Sequence, residues 1–120
     1  SQRCAFAAES GREFRQQLSR ARTFACKAEV EQLRAMGLGR GGSLENAVVV
    51  DEDKVLNPEG FRYKDEPVRH KTLDCLGDFF TAGFFINGLV RGSRTGHSLN
   101  NMLLRELLAN SQAWRYVTIS

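Results

Sequence analysis

The sequence predicts an α+β fold: a two-layer sandwich of a mainly antiparallel sheet and helices, carrying a small β-α-β insert. Three observations predict it. Strand-like and helix-like stretches interleave along all 120 residues, which purely helical and purely stranded architectures do not show. Several strand-like stretches are placed so that they can pair antiparallel. A short amphipathic helix stopped by a glycine cluster also stands between two strand-like stretches.

Taken in order, "QRCAFAA" (2–8) alternates apolar and polar residues as a half-buried strand does, and "GREFRQQLSRA" (11–21) carries Phe14 and Leu18 at helical spacing. "RTFAC" (22–26) reads as a short strand. "KAEVEQLRAMGL" (27–38) is a helix through Val30, Leu33 and Met36 or Gly37, which "GLGRGGS" stops. "NAVVVD" (46–51) is the clearest strand, followed by a turn at "DEDK" and a return at "VLN" (55–57). Together these give a β-α-β excursion between residues 23 and 57.

"NPEGFRYKDEP" then leads, with Asp65 as N-cap and Pro67 in the first turn, into a long helix over roughly 66 to 82. "FFINGLVRG" (84–92) reads as a strand, "SLNNMLLRELLANS" (98–111) as a helix capped by Ser98, and "AWRYVTIS" (113–120) as a last strand.

A hydrophobic fraction of 42% and a charged fraction of 26% exclude a disordered or fibrous class. The length fits one domain. Seventeen basic against 14 acidic residues leave a net charge of +3, which suits an anionic substrate, an acidic membrane surface or nucleic acid without selecting among them. Cys4, Cys26 and Cys75 are odd in number and form no CxxC, which argues against a disulfide framework and for a reducing compartment. The longest apolar run, "FFTAGFFINGLV", is interrupted by two glycines and an Asn and falls short of the ~18 apolar residues of a transmembrane segment. No secretory signal and no Met open the chain, and it stops at "YVTIS", close to a predicted strand end; an excised piece is the expectation.

One helix carries unusual chemistry. At ~100° per residue, His70, Asp74 and Asp78 fall at roughly 0°, 40° and 80°, while Val68, Thr72, Cys75, Leu76 and Phe79 fall between roughly 140° and 240°. One face packs and the other presents an imidazole and two carboxylates. A His and an Asp at i and i+4 project side by side and can reach one metal ion, although a solvated polar face has the same spacing. The other histidine, His97, follows Gly96 just before a predicted helix cap. A helix N-terminus lowers a His pKa and a carboxylate such as Asp78 raises it, so the pair can hold a proton near neutral pH, as a general acid must. An ordinary loop His before a cap looks the same.

"SRARTF", "LGRGGSLENAVVVD", "VLNPEGFRYKDEPVRHKTLDCLGD" and "TGHSLNNMLLRELL" together closely resemble the second half of the zinc-dependent UDP-3-O-acyl-N-acetylglucosamine deacetylases of lipid A synthesis in Gram-negative bacteria. The resemblance covers almost the whole chain, in order. It implies that residues 1–120 are the second, C-terminal domain of a zinc-dependent amidohydrolase acting on a UDP-sugar, working in the cytoplasm near the inner membrane surface, with the first domain absent.

By the same resemblance, His70 and Asp74 of "RHKTLD" are Zn2+ ligands, His97 is the general acid or electrostatic stabiliser toward the leaving amine, and Asp78 supports it. Thr23 helps polarise the amide carbonyl. Lys71 and Arg94 lie near the nucleotide-sugar phosphates, Arg94 standing where Lys is commoner. The insert, about 25–57, forms a passage for the acyl chain, with Phe24, Val30, Gly42, Ser43 and Val49 lining it; core packing is an equal reading of Val30 and Val49. Pro67 stands where the family usually has Phe. The first half, which supplies a third ligand and a glutamate base in an "EH" pair, has no counterpart here, so the isolated chain is expected to be inactive.

Two other readings fit parts of the chain. One is a basic module in which "RGSR" and "GRGG" contact phosphates of nucleic acid, although it lacks the aromatic stacking stripe such binding uses. The other is a non-catalytic scaffold paralogue.

Overall fold

A computed structural model describes residues 1–119. The elements run α1 (Gly11–Gln17), β1 (Thr23–Cys26), α2 (Lys27–Ala35), β2 (Ala47–Asp51), β3 (Lys54–Val55), α3 (Glu66–Phe80) and α4 (His97–Ala109), an α+β content as expected. Contacts divide the chain into two compact units, residues 1–72 and residues 73 onward. α3 runs through the boundary.

In the first unit, α1 begins where Ser10 accepts a hydrogen bond from the Arg12 amide and its hydroxyl bonds the Glu13 carboxylate. Its end delivers Leu18, fully buried with Ala21 and Val48 in a small core. β1 lies parallel to β2, from Thr23 opposite Ala47 to Cys26 opposite Val50, and β2 lies antiparallel to β3. The parallel pair requires a crossover, and α2 supplies it, packing on both strands. Gly37 (φ +74°) ends α2: its amide donates to the Arg34 carbonyl and the Leu38 amide to that of Leu33, a closure that needs a left-handed residue. β2 turns into β3 through Glu52, whose φ is +53°.

Asn57 locks this unit. Its Oδ1 accepts from the Val49 amide at 2.9 Å, and its Nδ2 donates to the carbonyls of Leu44 and Ala47 at 2.9 and 2.8 Å. It is 3% exposed, so no water replaces these bonds. Asn57→Ala is expected to lower the unfolding free energy by roughly 1–3 kcal/mol, the cost of leaving buried backbone groups unsatisfied. A shift in urea midpoint measures this; an unchanged midpoint would refute the lock.

Three predicted strands are not strands. Residues 2–8, 84–92 and 113–119 form no ladder, and Ser120 of the last lies outside the described residues. Alternation reports which side chains face an apolar neighbour, whereas a strand also needs a partner backbone. Residues 2–8 are held by a side chain: Gln2 donates to the Lys64 carbonyl and accepts from the Val68 amide. The latter bond satisfies an N–H in the first turn of α3, the service expected of Asp65, whose carboxylate instead accepts from Arg69 Nε. The other two segments meet through rings, Phe84 edge-on to Tyr116 with centroids 5.2 Å apart. α4 starts one residue earlier than expected, with Gly96 rather than Ser98 at its N-cap. The α3 side chains expected to pack, Val68, Thr72, Cys75, Leu76 and Phe79, are half-buried.

Candidate functional site

In the second unit, the last turns of α3 carry Asp74 and Asp78 and the first turn of α4 carries His97 and Asn100. His97 Nδ1 lies 2.7 Å from Asp78 Oδ2, and Asn100 Nδ2 donates to the same oxygen at 2.9 Å. Burial pushes the Asp78 carboxyl up, but the bonds from Asn100 and His97, with the His97 charge, outweigh it and hold the group below the ordinary carboxylate range. An ionised carboxylate only accepts, so Nδ1 carries the proton. The other ring nitrogen, Nε2, lies 3.9 Å from Asp74 Oδ2. The His97 side chain is 71% exposed, on an open cavity of about 600 Å³ with Asp78, Thr81, Ser98, Asn101 and Arg105. An oriented, solvent-reachable imidazole backed by a carboxylate can move a proton.

In the first unit, a second cavity of about 440 Å³ gathers Thr23, at the exposed start of β1, with His70, Arg20, Arg62, Glu45 and Asn46. His70 Nδ1 lies 2.9 Å from the Ala21 carbonyl. A carbonyl only accepts, so Nδ1 bears hydrogen. That is how metal-binding histidines are held by their surroundings.

Below this cavity lies an ion cluster. Glu66, the first residue of α3 and fully buried, accepts from Arg22 Nε and the Arg22 amide at 2.9 Å on Oε2, and from Arg22 Nη2 and the Arg62 amide on Oε1. Arg22 also reaches Glu59 and the Gly60 carbonyl. Burial, the largest influence, raises the Glu66 carboxyl, yet these donors and the Arg22 charge bring it down to about 2. The cluster ties the chain between Ala21 and Thr23 to the start of the helix bearing His70.

The remaining expected residues fall as follows. Lys71 is on α3; Arg94 lies between α3 and α4 with φ +52°. Phe24 is on β1, Val30 on α2 and Val49 on β2, within the β-α-β segment. Gly42 and Ser43 form the turn before β2, where a β-carbon on Gly42 would come within 3.3 Å of the Gly39 carbonyl. Glycine is therefore wanted there by the turn itself.

Among the described residues no three His, Cys, Asp or Glu side chains converge as a ligand group. His70 and Asp74 stand four positions apart on α3, and imidazole nitrogen and carboxylate oxygen are donor types that zinc accepts.

Residues 1–109 match the family model described as "LpxC: UDP-3-O-acyl N-acetylglycosamine deacetylase". The chain belongs to this deacetylase family. It is 55% identical to the UDP-3-O-acyl-N-acetylglucosamine deacetylase of Mannheimia succiniciproducens, 56% to that of Glaesserella parasuis and 50% to that of Haemophilus influenzae, each over 91% of this chain. It spans 36% of the length of these relatives. Among the described residues no helix is long and apolar enough to cross a membrane.

Within the deacetylase segment, three residues without a role in the sequence reading prove structurally central: Arg22, Glu66 and Asn100. Arg22 and Glu66 are 44 positions apart, and Asn100 is 22 from Asp78. Residue type alone offers no signal for such pairings, since an Arg beside β1 or a Glu opening a helix reads as an ordinary surface charge.

Proposed function

We propose that this chain is the C-terminal part of a zinc-dependent amidohydrolase that removes the N-acetyl group of UDP-3-O-acyl-N-acetylglucosamine, a cytoplasmic step of lipid A biosynthesis. The observation that carries this reading, beside family membership, is the His97–Asp78 pair at 2.7 Å with its proton fixed on Nδ1.

Zinc, when bound, would supply Lewis-acid polarisation of the amide carbonyl. His70 and Asp74 would hold it from this chain, and another part of the protein would supply a third ligand, a His, and a Glu base. Thr23 donates its hydroxyl hydrogen to the amide oxygen. His97, protonated and steadied by Asp78, gives the Nε2 proton to the departing amine as the C–N bond breaks, leaving acetate and a free amino sugar nucleotide. Lys71 and Arg94 neutralise the pyrophosphate. The β-α-β segment takes the acyl chain along Phe24, Val30, Gly42, Ser43 and Val49.

The test is a chimera in which this chain replaces the matching segment of the Mannheimia succiniciproducens relative, assayed for acetate release from the UDP-sugar. The chimera is expected to turn over and to retain zinc, and the 120-residue chain alone to show no turnover above background. A zinc-loaded, folded chimera without activity refutes the reading, as does normal turnover by the chain alone.

A further inference from the structure

The Asp78–His97 pair is not held by those two residues alone. Asn100 is 4% exposed, and its amide is satisfied on both sides: Nδ2 donates to Asp78 Oδ2 at 2.9 Å, and Oδ1 accepts from Cys75 Sγ at 3.3 Å. Cys75 and Asp78 are three residues apart on α3, and Asn100 is three residues after His97 on α4. Four side chains therefore form one hydrogen-bonded series, from a thiol through an amide and a carboxylate to an imidazole.

The order of donors along it is forced. The ionised Asp78 carboxylate must receive from both neighbours, so the amide turns its NH2 toward Asp78 and its oxygen toward Cys75, where the thiol has a hydrogen to offer. With the amide reversed, carbonyl oxygen would face carboxylate oxygen in a buried place. Asp78 thereby sets the amide's direction, Cys75 accommodates it by donating to Oδ1, and the amide anchors the oxygen that takes the His97 Nδ1–H.

We infer that Asn100 is a positioning residue for the deacetylation step: by anchoring Asp78 Oδ2 it keeps the His97 Nδ1–H on that oxygen, so that Nε2 is the nitrogen that takes up the proton and delivers it, and the neutral ring is the Nδ1–H tautomer. An imidazole in water favours the opposite, Nε2–H form, and which nitrogen bears the proton is set by the partner of the other. Once Asn100 is lost, Asp78 turns about its χ angles, the bond to Nδ1 loosens, and His97 relaxes toward the solvent tautomer. The inference rests on the assignment of His97 as proton donor, but its tautomer part stands without it.

Asn100→Leu, close in shape and without polar atoms, and Asn100→Asp, which replaces the donor by an acceptor, test this in the zinc-loaded chimera described above. The expected result is a kcat lowered by roughly ten- to a hundredfold with KM within about twofold, the pattern of a lost transition-state interaction. Long-range proton–nitrogen NMR, recorded well above the ordinary imidazole pKa of about 6.5, is expected to show His97 as Nδ1–H in the parent and mainly as Nε2–H in both variants. Cys75→Ser, which keeps a hydroxyl donor for Asn100 Oδ1, is expected to preserve tautomer and kcat. Should the Leu variant not fold, the Asp variant decides. An unchanged tautomer in a folded variant overturns the inference whatever kcat does. A tautomer change in a chimera lacking deacetylase activity upholds the positioning and overturns the functional reading instead.

Discussion

Glu66→Gln is expected to lower the unfolding free energy of the 120-residue chain by about 3–5 kcal/mol, the cost of breaking a buried ion pair from one side. Arg22 is 5% exposed and Glu66 fully buried, so the guanidinium cannot recover the interaction from water. Its other carboxylate partner, Glu59, is half exposed, and Glu59→Gln is expected to leave the urea midpoint nearly unchanged. The pH dependence has a definite sign. The folded Glu66 carboxyl sits at about 2 against an ordinary 4.5, so its contribution is complete above about pH 4.5 and is lost as pH falls toward 2. At 1.36 kcal/mol per pH unit that amounts to roughly 3 kcal/mol. Parental stability should therefore fall more steeply than that of the Gln variant across this window. Parallel urea titrations that keep a constant gap between the two proteins from pH 6 to pH 2.5 would contradict the assignment. The effect reaches the site as well, because Arg22 sits between Ala21, whose carbonyl orients His70, and Thr23.

The second large effect concerns rate. In the zinc-loaded chimera, His97→Ala is expected to reduce kcat by roughly 10²- to 10⁴-fold, the span of a lost general acid, with zinc content and KM little altered. Asp78→Asn should lose rate in the same direction, since an amide at that position can donate to Nδ1 and favour the wrong tautomer. The side chain of His97 is largely exposed, so His97→Ala should not cost much stability, which thermal unfolding checks. A His97→Ala kcat within threefold of the parent would remove His97 from the chemistry.

Much of the fold was legible because its signals are local. Gly37 ends α2, the run 47–50 forms a strand, and α3 and α4 follow their apolar spacing, since each depends on residues within a few positions. The β-α-β segment could be read for that reason, and so could the presence of His70, Asp74 and Asp78 on one helix. Residues 84–92 and 113–119 misled because strand-favouring residue types still need a partner backbone, and Phe84 and Tyr116 meet ring against ring without pairing backbones. Asp65 misled because a capping residue type promises a bond only when nothing else competes. Arg69 claims Asp65, and Gln2 takes the amide.

The sequence by itself determined the helices, the β-α-β segment and the family, because period and spacing are properties of neighbouring residues. The tertiary structure decided which protons sit where. His70 is held in its Nδ1–H form by the Ala21 carbonyl, 49 positions away, His97 by Asp78 and Asn100, and the buried Glu66 by Arg22. Tautomer and ionisation follow from the atoms within about 3 Å of a group, and the folded chain draws those atoms from parts of the sequence that carry no local trace of one another.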